Sequence, residues 1–184
     1  MKNINPTIIL VRPQLPENIG MTARVMDNFG LSKLYIVNPR DGWPSKIAEN
    51  SAKHGKNIIK KAKIFNSLNE AVSKFNLVIA TTNRKRFLTK KTYNNFSDLK
   101  KKIINFKNTA ILFGPENSGL SNQDLRLTNY IFTINTVSRN KSLNLSHAVS
   151  VISYELFNLK KANSNFTENY EIANKFELSN FMNV

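Results

Sequence analysis

The chain has 184 residues and a mass of 21.0 kDa, the size of one domain or of one domain with a short appendage. Hydrophobic residues at 41% exclude a disordered chain, and zero cysteines exclude disulfides, a thiolate nucleophile and cysteine-ligated metal, with His54 and His147 alone leaving little for any metal. A net charge of +15 and a pI near 10.1 exceed what solubility requires and point to a polyanionic partner, RNA or DNA first. Composition bias competes with that reading, since 20 basic residues are Lys and 28 residues are Asn. The charge is segregated, however: Lys46 to Lys107 holds 16 basic and 3 acidic residues, whereas Ala162 to Val184 holds one Lys and three Glu. No apolar run reaches the ~18 residues of a membrane span, and MKNINPTIIL lacks the layout of a signal peptide, so a cytoplasmic location is expected.

In chain order, short runs rich in β-branched and aromatic residues predict strands at Thr7–Val11, Lys33–Val37, Lys63–Phe65, Leu77–Thr81, Thr109–Phe113 and Tyr130–Ile134. Their unbroken apolar character suits a parallel sheet covered on both faces. Apolar spacings of three and four predict a helix over Asn18–Phe29, stopped by Gly30 in a left-handed conformation. Serine caps predict further helices over Ser67–Phe75, Ser97–Ile104 and Ser121–Leu127, the last with Asp124 placed to complete a capping box. The longest helix is predicted over Ser142–Lys161. Leu145, Ala148 or Val149, Ile152, Leu156 and Leu159 form one apolar face; Leu143, Val151 and Tyr154 form a second. A helix apolar on two sides lies inside a core or at a subunit interface. The alternation gives an α/β fold with a mainly parallel sheet, a domain over 1–161 and a polar tail over 162–184. The tail's end, IANKFELSNFMNV, reads as the first turns of a helical extension cut short.

Three segments lie just beyond predicted strands, where open α/β sheets place their ligands. In RPQLPENIGMTAR, Asn18 can cap the following helix, its free N–H groups can meet an anion, and Arg24 projects from the helix. In FGPENSGLSNQDL, Gly114 and Gly119 bracket a turn that holds Glu116 at the end of a central strand; without a following Lys-Ser or Lys-Thr it is no P-loop. In INTVSRNKSLNLSH, Ser142 and Asn144 open the long helix. Taken singly, each segment is also explained by a cap, a turn or a solvated side chain.

In this order, N-I-G-x-x-A-R, F-G-P-E-N-S-G-L-S and S-L-N-L-S resemble the three motifs of the SpoU/TrmH branch of the SPOUT RNA methyltransferases, over Pro6 to about Lys160. TIILVRPQLPENIGMTARVM and LVIATTNRKR look most like the TrmJ-type members, which methylate the ribose of nucleotide 32 in the tRNA anticodon loop. The resemblance implies a Rossmann-like parallel sheet with helices on both faces, a C-terminal deep trefoil knot and a homodimer. It implies S-adenosylmethionine as cofactor, in a pocket lined by Thr81, Gly114, Glu116, Ile134, Ser142, Leu143 and Asn144. Arg24 would be the central catalytic residue, reaching the target from the partner subunit, with Asn18, Glu116, Ser142 and Asn144 positioning substrate and cofactor.

Methyl transfer from a sulfonium to a ribose 2′-hydroxyl needs neither metal nor covalent intermediate, which matches the missing Cys and scarce His. RNA affinity is expected from the basic segment, particularly Arg84, Lys85, Arg86, Lys90 and Lys91, with Phe87 and Tyr93 available to stack on bases. The chain departs from the TrmJ pattern where Arg139, Asn140 and Lys141 stand in place of an aromatic residue before S-L-N, and where a longer C-terminal extension is expected. Two alternatives remain beside a tRNA enzyme: the same chemistry on ribosomal RNA, and an RNA-binding module that no longer transfers methyl groups. A mononucleotide-binding protein fits poorly, since there is no G-x-G-x-x-G.

Overall fold

The computed structural model describes residues 5–84, 90–106, 108–137, 139 and 142–161, with side chains of the last helix through residue 158. Seven strands form one sheet in the order β3-β2-β1-β6-β4-β7-β5, and every pairing is parallel. They are β1 (Thr7–Val11), β2 (Leu34–Val37), β3 (Lys63–Phe65), β4 (Leu77–Thr81), β5 (Thr92–Tyr93), β6 (Thr109–Phe113) and β7 (Tyr130–Phe132). The helices are α1 (Pro16–Asn28), α2 (Lys46–Ser51), α3 (Lys56–Lys60), α4 (Leu68–Val72), α5 (Phe96–Ile103), α6 (Asn122–Arg126) and α7 (Leu145–Lys161), with a 3-10 turn at Lys53–Gly55.

Alternation along each strand divides the apolar side chains between two layers. Ile8, Leu10, Ile79, Ile111 and Phe113 pack with Ala23 and Met26 of α1, Leu99 of α5 and Val149, Ile152 and Leu156 of α7. On the opposite face Ile9, Val11, Val78, Ala80 and Leu112 meet Leu68 and Ala71 of α4 and Leu125 of α6. This is why the central strands read as unbroken apolar runs: both faces are covered. Gly20 lets α1 approach α2 closely, because a Cβ there would lie 2.2 Å from the Ala48 carbonyl oxygen.

The six strands expected from the sequence are present, two of them shorter: β2 begins at Leu34 and β7 ends at Phe132. The two-residue β5 escapes a pattern reading because it is too short to show a period. Helix starts shift for local reasons. Pro16, with its φ preset and no N–H to lose, opens α1 two residues early, so Leu15 stands at the cap and Asn18 does not cap. Asn95 rather than Ser97 caps α5, its side chain accepting from Ser97 N at 2.9 Å. α7 begins after Asn144, whose carbonyl accepts from Ala148 N and whose side chain accepts from Ser146 N, both at 2.9 Å. Ser121 and Asp124 form the expected capping box, and Gly30 ends α1 at φ +65°. The polar tail over 162–184 lies outside the described residues.

On α7 only one of the two apolar faces is covered. Leu145, Val149, Ile152 and Leu156 are at most 5% exposed, whereas Val151 and Tyr154 are 40% and 53% exposed, Tyr154 touching Phe29 edge-on; Leu143, 39% exposed, lies just before the helix. Leu159 is among the side chains outside the description.

Candidate active site

The loops that follow β1, β6 and β7 converge at the carboxyl ends of the strands, and a chain of hydrogen bonds joins them. Glu116 follows β6 on a turn closed by Gly119 N donating to the Pro115 carbonyl at 2.8 Å. Gly114 is required there: a Cβ would stand 2.4 Å from Leu120 N and 2.6 Å from the Gly119 carbonyl carbon. Gly119 itself adopts φ +63°. One Glu116 carboxylate oxygen accepts from Gln14 N at 2.9 Å; the other accepts from Asn18 Nδ2 at 2.8 Å and Leu15 N at 3.4 Å. The start of α1 does meet an anion, but that anion is the protein's own Glu116.

Asn18, buried on the third helical residue of α1, then accepts from Asn144 Nδ2 at 3.0 Å, and Asn144 Oδ1 accepts from Ser146 Oγ at 2.8 Å. Residues far apart in sequence, Asn18, Glu116 and Asn144, thus share one network in which each orients the next. Their amide and carboxyl groups are largely occupied with one another, so they hold the three loops in register.

A second clasp lies beside the first. Arg12, at φ +49° just after β1, pairs with Asp124 of α6. Asp124 also accepts from Ser121 N at 2.7 Å and Ser121 Oγ at 2.8 Å. Burial opposes charge on Asp124 and is the largest single influence. The bonds from Arg12 and Ser121, with the attraction of Arg12, outweigh it and hold the carboxyl below its ordinary pKa.

The other sequence-predicted residues divide. Thr81, Gly114 and Ile134 are half-buried at the ends of the adjacent β4, β6 and β7, and the Thr81 hydroxyl donates to the Leu112 carbonyl at 2.7 Å. Ser142, Leu143 and Asn144 are exposed. Arg84 reaches from beyond β4 to the Asn117 carbonyl, covering the Glu116 turn. Lys90 turns inward to the carbonyls of Thr128 and Arg126, and its burial lowers its pKa. Lys91 is exposed, with its ammonium 5.4 Å from the centroid of the Tyr93 ring. Tyr93 is itself buried against Tyr130, at a centroid distance of 5.4 Å. Lys85, Arg86, Phe87, Asn140 and Lys141 lie outside the described residues; Arg139 is exposed.

Arg24 stands apart. It is exposed, and its side chain makes no hydrogen bond or ion pair among the described residues. Six residues beyond Asn18, it is turned about 240° around α1 and about 9 Å along it. One chain therefore does not bring Arg24 to the Asn18–Glu116–Asn144 network.

Sequence reading passed over Gln14, whose side-chain carbonyl accepts from Asn117 N at 3.1 Å while its backbone serves Glu116, and passed over Ser146. The signal for Ser146 was the i, i+2, i+4 run of polar residues in S-L-N-L-S; nothing local marks Gln14, whose partner is 103 residues away.

Residues 5–154 match the SpoU rRNA Methylase family, and the chain belongs to it. Within that family its resemblance is to the TrmJ-type members. It is 35% identical over 178 residues to the tRNA (cytidine-2′-O-)-methyltransferase TrmJ of Methanocaldococcus jannaschii, covering 92% of this chain and 74% of that one. It is 36% identical over 154 residues to the tRNA (cytidine/uridine-2′-O-)-methyltransferase TrmJ of Photorhabdus laumondii, covering 83% and 64%. Superposed on the crystal structure of TrmJ from Z. mobilis, it gives a TM-score of 0.79 at 42% identity over 83% of this chain and 68% of that one. Several curated relatives are thus about half as long again as the segment they share with this chain.

Proposed function

We propose that the chain is an S-adenosylmethionine-dependent RNA ribose 2′-O-methyltransferase, that its substrate is tRNA at the anticodon-loop ribose of nucleotide 32, and that it works as a cytoplasmic homodimer. The relatives named above, tRNA 2′-O-methyltransferases, support the reaction and the substrate. The observation that carries the reading is the hydrogen-bonded chain from Glu116 through Asn18 to Asn144, which gathers three separated motifs at one end of the sheet.

The neighbouring strand ends suit the cofactor chemically. Ile134 and Leu143 offer apolar surface, and the narrow Gly114–Gly119 turn offers backbone, with no cradle of the phosphate-binding kind. When bound, S-adenosylmethionine supplies a methyl group on a sulfonium: the C–S electron pair leaves with sulfur as the ribose oxygen forms its bond to carbon. Thr81, Gly114, Ile134, Ser142 and Leu143 would hold it.

The remaining work is to place a weak nucleophile and remove its proton. A guanidinium stays charged near neutrality and is a poor base. Arg24 is therefore a clamp for the ribose and its phosphate, stabilising negative charge as it develops on oxygen, with proton removal assisted by the phosphate or a nearby polar group. Glu116, Asn18 and Asn144 keep the loops fixed during transfer.

Arg24 serves the site of the other copy. The uncovered Val151 and Tyr154 on α7, and Met21 and Arg24 on α1, are the surfaces through which two copies meet. The C-terminal segment through α7 forms the trefoil knot. No described helix is long and apolar enough to cross a membrane.

The test is transfer of labelled methyl to tRNA and to ribosomal RNA from cells lacking the modification, by wild type and Arg24→Ala. Transfer to tRNA that Arg24→Ala loses while keeping cofactor affinity is the expected result. Transfer confined to ribosomal RNA, which the family's own description favours, would move the substrate. Cofactor and RNA binding without transfer to either would leave an RNA-binding module.

A further inference from the structure

At the far edge of the sheet, β5 and α5 enclose an open groove of about 440 Å³. Its lining includes Lys91, Tyr93, Asn94, Asp98, Lys101 and Lys102. Three ammonium groups face one carboxylate there, and the single ion pair, Lys101 with Asp98 at 3.6 Å, is exposed on both sides. The groove thus keeps a surplus of positive charge. Lys90, next in sequence to Lys91, is engaged with backbone carbonyls and does not add to it.

The groove is built into the same end of the molecule as the candidate site. Tyr93 pairs with Phe132 in the sheet, and its carbonyl accepts from Thr133 N at 2.9 Å. The Asn94 carbonyl accepts from Asn135 Nδ2 at 3.4 Å. Thr133 and Asn135 belong to the segment that leaves β7 toward Ser142, so the groove is joined by one backbone and one side-chain hydrogen bond to the loop that carries part of the proposed cofactor pocket.

We propose that this groove is a second RNA-backbone subsite, in which Lys91, Lys101 and Lys102 hold phosphates of the substrate at a distance from the reacting ribose. The inference rests on the reading of the chain as an RNA-modifying enzyme and joins Lys91, already expected to meet RNA, to Lys101 and Lys102 of α5 in one groove. An open cationic trough suits a polyanion whose charges repeat along a strand, and compact ammonium groups on flexible stems tolerate variation in backbone path. Lysines at a sheet edge also discourage strand-to-strand association. That role needs charge only, in no particular relation to RNA, and the experiment separates the two.

Wild type, Lys101→Glu/Lys102→Glu and a control, Lys60→Glu/Lys61→Glu, are titrated with an unmodified tRNA transcript over a range of salt, with S-adenosylhomocysteine binding and thermal unfolding measured alongside. The control makes the same charge change at exposed lysines beside β3, the opposite edge of the sheet. Lys101→Gln/Lys102→Gln accompanies them, because glutamates beside Asp98 at a helix C-terminus can disturb α5. The groove variants should bind tRNA about tenfold more weakly, with a salt slope shallower by about two, and raise KM with kcat unchanged. The control should change affinity less than threefold, and cofactor binding should be the same in all. Equal losses in groove and control variants, or groove variants indistinguishable from a wild type that binds tRNA, overturn the subsite and leave the enzyme reading intact. A wild type that binds cofactor but no RNA overturns both.

Discussion

The two ends of the loop-bearing edge are built on opposite plans. Around β1 and β6 the polar groups satisfy one another: Glu116 takes three donors, Asn18 both gives and receives, and Arg12 locks against Asp124. Around β5 the groove lysines make few internal contacts and look to solvent. Mutually satisfied groups cannot reorganise without losing hydrogen bonds, which suits a site that must hold reacting atoms to fractions of an ångström. Loosely held cations adapt to whatever polyanion arrives. Arg24 belongs to neither plan: it sits on the helix α1, and its side chain has no partner among the described residues.

The largest effect should come from that exception. Arg24→Ala should lower methyl transfer by ~10²–10³-fold, the range found for removing a single charge-stabilising donor. Since the side chain is exposed, unfolding free energy should move by no more than about 0.5 kcal/mol. Equal losses of activity and stability would place Arg24 in the scaffold instead. Next is Val151→Asp, which puts a charge on the uncovered face of α7. Sedimentation should show a dimer converted to a folded monomer, with activity down by about tenfold or more because Arg24 no longer reaches a second site. Mixing Val151→Asp with Arg24→Ala should not restore activity. A monomeric wild type would remove the reason for placing Arg24 across an interface.

How much of this was legible follows the range of the interactions. β4 and β6 could be read to the residue because four consecutive apolar positions in each report burial on both faces, a local property. β5 could not, since Thr92 and Tyr93 are a strand only by virtue of β7 beside them. The start of α1 was misread because Asn18 is a good cap in isolation; Pro16 and the pull of Glu116, 98 residues away, decide otherwise. The three motifs lie on loops that hydrogen bonds join, but the order of those bonds, and the parts played by Gln14, Arg12 and Ser146, depend on contacts that no window of sequence contains. The two apolar faces of α7 were visible at once, and only the fold tells which of them the chain itself covers.

Glu116→Gln tests the rigid end directly. The carboxylate accepts on both oxygens, so an amide turns one of them into a donor facing Gln14 N or Asn18 Nδ2. At least one part-buried hydrogen bond is lost and a donor–donor opposition is created, for about 2 kcal/mol of stability. Urea denaturation should register the loss, and methyl transfer should fall with it as the loops lose register. The groove should not notice: tRNA affinity in Glu116→Gln should stay within about twofold of wild type at fixed salt. A large drop in tRNA affinity would mean that the two ends are coupled more tightly than their separate networks suggest.

Asp124→Asn gives the smallest expected change, and its size depends on pH. Arg12 has a side chain 40% exposed, so water can replace much of what Asp124 gives it, and Asn can still accept from Ser121. About 1 kcal/mol should be lost at pH 7. Because the folded-state pKa of Asp124 is depressed, its contribution is fully present above the unfolded value, ~3.9, and disappears as pH falls through the folded value. The stability gap between wild type and Asp124→Asn should therefore hold constant from pH 7 to about pH 5 and narrow below pH 4. A gap that widened on acidification would mean that burial, which opposes the charge, prevails over Arg12 and Ser121. The clasp would then be a strained contact and no support for the neighbouring Glu116 turn.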